Sequence, residues 1–280
     1  MVFRVKIFIF ESSGSMIEMK YFFLIFTIIV ILSACKQQES DTTKPPEAVR
    51  LVYRAAGADT LQDEPGIDAV YDVESGKNGI QLMWYTHPQE KDLASYRIYR
   101  SEDPQGLVNY NLIGSVQPGQ AGQVDTVYID TQDLVQKVRY YYYITAYSKK
   151  DKESENSDTL SYELLEYPVN LSLNGNSKVV TEPSMRFEWH MASGVTPDYY
   201  ILRVEYVVSE DFHPVHYVNY IYSEYETPRI ITLLGNELFT LFPKGKYRWR
   251  VDCVGLEDIP AQKFSGSESE WSDFTINWGG

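Results

Sequence analysis

The run LFPKGKYRWRVDC, Leu241 to Cys253, decides how the rest of the chain is read. From Tyr247 onward, large apolar and charged residues alternate. Tyr247, Trp249, Val251 and Cys253 fall on one side, and Arg248, Arg250 and Asp252 on the other. Successive side chains of a strand point to opposite faces, so this pattern describes a strand with one face in a core. Pro243 and Gly245 just ahead of it mark a turn.

About 105 positions upstream, the run Tyr140 to Ala146 alternates in the same way. Tyr140, Tyr142 and Ile144 point inward there, and Tyr141 and Tyr143 outward. Two earlier stretches also have counterparts. Ile80 to Trp84 matches Met185 to Trp189, each an apolar-x-apolar-x-Trp run, and Tyr96 to Arg100 matches Tyr200 to Val204. Further short runs lie at 110–116, 124–129, 159–164, 217–222, 229–233 and 271–276, bounded by turn residues. No long helical periodicity follows Pro45, and the 23 tyrosines favour strands. The expectation is an all-β chain made of two tandem β-sandwiches. The boundary falls near Glu166-Tyr167-Pro168, which gives domains at 46–166 and 167–280. So few residues separate Leu164 from Val169 that the tandem is expected to be semi-rigid.

At these residues the chain resembles the fibronectin type III module of the immunoglobulin-like fold. That family has apolar-x-apolar-x-Trp in its second strand and Leu-x-Pro-x-x-x-Tyr leading into its sixth, as Leu241, Pro243 and Tyr247 do here. The first copy keeps Leu134 six residues before Tyr140 but has no Pro or Gly between them. The resemblance implies that Tyr140 and Tyr247 are tyrosine-corner residues and that Trp84 and Trp189 fill the space between sheets. It also implies an insertion at 56–78, between the first two strands. Its GIDAVYD segment resembles extracytoplasmic modules of Bacteroidota-like bacteria.

The N-terminus supplies an address. Tyr21 to Leu32 is an apolar run of twelve residues, short of the roughly 20 that span a membrane and suited to the core of a secretory signal. Lys20 precedes it. Leu32-Ser33-Ala34-Cys35 follows and resembles the bacterial lipobox. The resemblance implies a signal peptide at 1–34, lipidation of Cys35 and a polar tether at 35–45. Met16 or Met19 would give a leader of ordinary length and is the expected start of translation. Lys36 after the cysteine suggests the outer membrane. A lipid chain on Cys35 would then anchor the protein to the cell envelope.

Composition narrows the function classes. The net charge is −14, and −15 once residues 1–34 are set aside, which disfavours nucleic acid as a partner. Two cysteines, Cys35 and Cys253, exclude a disulfide framework. Cys253 should be a buried, inert thiol. The sequence holds no G-x-S-x-G, H-E-x-x-H, phosphate loop or C-x-x-C, so no enzyme activity and no cofactor are expected. His213 and His216 form the only close histidine pair, too few for a zinc site, and no metal is expected. The acidic stretches 63–72 and 151–158 read as solvated loops. Ser267 to Ser272 resembles half of the Trp-Ser-x-Trp-Ser box of cytokine-receptor modules, which implies a cation–π brace between Trp271 and Arg248 and Arg250. Tyr141, Tyr143, Tyr217, Tyr220 and Tyr222 are candidate binding residues, since exposed tyrosine offers contact area at low entropic cost. The function expected is a non-catalytic, lipid-anchored binding, adhesion or spacer protein that meets a protein or glycan. The alternative is a structural accessory subunit of an envelope complex.

Overall fold

A computed structural model describes residues 44–102, 109–119, 126–191, 197–222 and 229–279. The signal peptide, Cys35 and the start of the tether lie outside the described residues.

The structure is all-β and immunoglobulin-like. In the first half, β1 (Asp68–Asp72), β2 (Lys77–Met83) and β5 (Val127–Asp130) form one sheet in the order β1-β2-β5. Facing it are β3 (Leu93–Ser101), β4 (Asn111–Val116), β6 (Arg139–Ser148) and β7 (Leu160–Leu164). In the second half, β8 (Pro168–Leu173), β10 (Ser184–Met191) and β13 (Arg229–Leu234) form the matching small sheet. Opposite lie β11 (Tyr199–Tyr206), β12 (Val215–Tyr222), β14 (Gly245–Asp258), β15 (Lys263–Glu268) and β16 (Ser272–Ile276), with the short β9 (Val179–Val180) beside β16. The one α-helix among the described residues is a single turn, α1 (Leu238–Leu241).

The alternation read from sequence decides what is buried. Tyr140, Tyr142, Ile144 and Ala146 enter the first core with Ile80, Leu82 and Trp84. Tyr247, Trp249, Val251 and Cys253 enter the second with Met185, Phe187 and Trp189. Trp84 and Trp189 are almost wholly shielded, and Trp189 meets Tyr200 edge-on, 5.5 Å between ring centroids. Both tyrosine corners are closed. Tyr247 Oη donates to the Pro243 carbonyl at 2.7 Å, and Tyr140 Oη accepts from the Val135 amide at 2.8 Å.

The two halves are joined through strands. β7 pairs with β15 in parallel, Ser161 opposite Lys263 through Leu164 opposite Gly266, so one sheet runs β12-β11-β14-β15-β7-β6-β3-β4. β15 belongs to the second half by sequence, yet its Phe264 is buried in the first core and the nearby Ile259 packs against that core. Gly266 is required at this seam. A Cβ there would stand 2.6 Å from Tyr162 Oη and 2.7 Å from the Cys253 carbonyl oxygen, too close for any side chain.

Candidate functional site

Three regions hold the chemistry that the fold brings together: the seam between the halves, the brace beside it and the tyrosine faces.

The insertion at 56–78 builds the seam. A 3₁₀ turn at Ala58–Thr60 and β1 hold the segment against both halves. The guanidinium of Arg54 pairs with Asp59 at 2.5 Å and with Asp68, and all three side chains are buried. Across the seam, Arg203 of β11 donates to the Asp59 carbonyl at 2.9 Å and pairs with Glu64. Arg203 also meets Glu205 at 2.9 Å, which in turn takes Arg248 at 2.6 Å. Arg250 of β14 reaches Glu64 at 2.7 Å, Asp252 at 2.8 Å and Glu268 at 2.5 Å. Asn78 then locks β2 to β15 with a reciprocal pair: its Nδ2 donates to the Glu268 carbonyl at 2.8 Å, and the Glu268 amide donates to its Oδ1 at 2.7 Å.

The acids at 63–72 are therefore not all solvated loop charge. Glu64 and Asp68 belong to this network because the insertion folds back over the outer face of β11 and β14, where arginines await them. Carboxylate oxygens of Glu64, Asp252 and Glu268 lie within 4.8 Å of one another, a spacing that could also suit a cation. Here the Arg250 guanidinium bonds to all three, so the protein's own cation answers the cluster.

Burial governs how these groups hold protons. It pushes the Asp68 carboxyl up to about 7, against the pull of Arg54. It raises Asp252 to about 8, against Arg250. Glu268 is raised well above the usual carboxylate range by burial, opposed by Arg250 and reinforced by Asp252 and Glu64. An unfolded chain releases these protons near pH 4. The folded chain therefore binds more protons than the unfolded one between about pH 4 and 8, and stability falls as pH rises through that window. Two carboxyls are shifted down instead. Burial of Glu153 is outweighed by hydrogen bonds from Thr145 and Tyr99 and by Arg97, and Asp72 is held by Ser75 and Glu74. Their opposite contribution is confined to acid below about pH 4.5. The melting temperature should be higher at pH 5.5 than at pH 8.5. A rise across that interval would contradict the buried cluster.

The structure also brings Arg248, Arg250 and Trp271 together. The Arg248 Cζ stands 4.1 Å from the Trp271 ring centroid and the Arg250 Cζ 4.8 Å. Arg250 is buried, so its contact is worth more than an exposed one, about 2 kcal/mol against 0.5–1. Trp271→Ala should lower stability by about 2–3 kcal/mol. Thermal unfolding checks this, and an unchanged melting temperature would rule the brace out.

The five candidate tyrosines divide. Tyr141 is 8 % exposed and offers no binding face. β6 is an inner strand, and Tyr141 lies between buried Ser101 of β3 and Ser161 of β7. Tyr217 is part-buried rather than open. It packs against Phe242, 5.6 Å between centroids, at the rim of the second core. Alternation from Tyr217 to Ile221 places both on the inner face of β12. Tyr143 is half-buried between Tyr99 at 4.8 Å and Tyr110 at 4.6 Å. Tyr220 and Tyr222 remain open, 46 % and 79 % exposed, with Tyr199 5.9 and 6.3 Å away.

Other singled-out residues have local roles. Cys253 is buried, its thiol pushed up by burial, with its sulfur 3.8 Å from that of Met191. His216 packs on Phe242 and Tyr247, and its Nε2 bonds with the Leu241 carbonyl at 2.7 Å. In the 151–158 loop, Glu153 takes Arg97 at 2.9 Å and hydrogen bonds from Tyr99 and Thr145, so this stretch is also less solvated than its composition suggests. Arg97 sits 3.5 Å from the Tyr147 ring centroid, a further cation–π contact that the sequence reading missed. Its only signal was a pair of alternating outward Arg and Tyr residues on neighbouring strands.

No protein-family model matches the chain, and no curated protein matches it. Among solved structures it is similar to the crystal structure of the chicken CNTN1 FN1-FN3 domains. That alignment has 14 % identity and a TM-score of 0.34, and covers 83 % of this chain and 68 % of the other.

Proposed function

We propose that the chain is a non-catalytic binding protein of the cell envelope, carried on a lipid at Cys35. The observation that supports this reading is the open aromatic edge at Tyr220 and Tyr222, set on two sandwiches clasped through β7 and β15. Sandwiches of this kind commonly serve binding or spacer roles, with function placed in loops and edges. A clasped pair holds such an edge in a fixed orientation to the rest of the two sandwiches. The seam carboxyls are engaged by arginines, which leaves them in a structural role rather than acid–base chemistry.

Protease shaving of intact cells, followed by a probe against residues 170–280, tests the placement. Cleavage without lysis is the expected result for a surface adhesin. Protection until lysis would put the edge in the periplasm, and the partner would then be an envelope protein. Cys35→Ala should move the protein from the membrane to the soluble fraction. If that variant stayed in the membrane, the lipid anchor would be lost from this reading.

A further inference from the structure

Among the described residues the long sheet ends on β4 and β12, and the two edges are blunted at different places. β4 carries a bulge, with Gly114 opposite Ile98 and Leu112 opposite Tyr99, which leaves Ile113 between them. The Ile113 carbonyl accepts from Tyr128 Oη at 3.2 Å and from Gln132 Nε2 at 2.8 Å. Bulges and occupied backbone groups are how sheets refuse another strand. β12 is blunted only at its start, where the register shifts at His216, the Val215 amide donates to Gln62 Oε1 at 2.8 Å and Gln62 Nε2 donates to the His213 carbonyl at 3.1 Å. From Tyr217 to Tyr222 it pairs with β11 without interruption, and among the described residues no strand lies on its other side. The run VHYVNYIY holds no Lys, Arg, Asp, Glu, Pro or Gly. Natural edges rely on such residues to block pairing, and a β-prone neutral run lacks them.

We propose that the β12 edge is a docking site for an extended segment of a partner protein, added to the sheet as one more strand. This rests on the binding role proposed above. Main-chain hydrogen bonds would hold the segment, and alternate side chains would select it. Residues over the inner face would extend the core at Tyr217 and Ile221, which lie at its rim, and should be apolar. Residues over the outer face would lie beside Tyr220 and Tyr222, where aromatic or β-branched side chains pair best. Acid stands at both ends: Glu210 and Asp211 are exposed before the strand, and exposed Glu257 bonds Tyr199, which is opposite Tyr222. The occupant is therefore a neutral, alternating segment with Lys or Arg at its flanks. A second copy fits less well, because each chain carries −14. A sugar fits less well too, since the Tyr199 ring is tilted 42° and 52° from its two neighbours and makes no flat platform with them.

Hydrogen exchange on the full chain in detergent tests this with synthetic peptides. One alternates Val and Thr between Lys pairs, a second is the same with alternate amides N-methylated, and a third has Glu flanks. The first should slow exchange within Val215–Tyr222 by about tenfold or more, with little change in β14. The N-methylated peptide should leave it unchanged, and the Glu-flanked one should protect less. Tyr220→Lys should abolish protection while β14 exchange stays native. Protection elsewhere, with β12 unchanged, overturns the edge but leaves the binding role standing. No bound peptide anywhere removes both. Sedimentation that shows a dimer broken by Tyr220→Lys would assign the edge to a second copy and overturn the partner.

Discussion

Arg250→Met should lower the free energy of unfolding by about 3–5 kcal/mol at pH 8, the cost of stranding buried charge when one partner of a pair is removed. Arg250 answers Glu64, Asp252 and Glu268 together, and methionine keeps much of its stem volume. What is lost is therefore mainly charge. The loss should shrink at pH 5, because Asp252 and Glu268 can then take up protons and stop repelling one another. A triple variant that adds Asp252→Asn and Glu268→Gln should regain most of the stability, since a neutral cluster strands nothing. Urea unfolding at both pH values measures all of this. A loss below about 1 kcal/mol, equal at pH 5 and pH 8, would mean that water already reaches the seam.

Trp189→Ala is the second large effect, at about 3–5 kcal/mol. The ring is fully shielded and stands against Tyr200 between the two sheets of its half. Among the described residues its buried indole Nε1 has no acceptor. The hydrogen-bonding side of the ledger is thus empty, and the cost is one of volume and contact. Trp189→Phe should accordingly recover more than half of the loss. Had the indole N–H been bonded, Phe would have stranded an acceptor and recovered less. Chemical denaturation of the two variants decides the order, and equal losses would point to a missed polar partner.

The contrast between these residues marks how much the sequence disclosed. Trp84, Trp189, Tyr140 and Tyr247 were legible because alternation with period two is a local signal and a large inward aromatic is its strongest form. The all-β fold followed from repeating that signal. β15 was missed for the opposite reason. KFSGSE has one large apolar residue, and its small polar residues are buried because Tyr162 and the neighbouring backbone approach closely at Gly266. Asp68 and Glu64 looked like solvated loop charge, and Arg250 like one side of an exposed cation–π brace. What buries them is an insertion crossing between halves more than 180 residues apart in sequence, as from Glu64 to Arg250, and no local pattern carries such a contact. Tyr141 and Tyr217 show the limit from the other side. Alternation assigns a face, but only the sheet order says whether that face is covered.

The placement of Phe264 bears on how the protein comes into being. It fills the first core, yet it is made about 100 residues after Leu164, the last strand residue of that half. A chain that leaves the ribosome, or crosses a membrane, N-terminus first must hold its first sandwich unfinished until nearly all of the second has emerged. Cut out at its own last strand, the first repeat would lack part of its core. The first sandwich is closed by a strand on loan from the far end of the chain, the kind of distant contact that forms late.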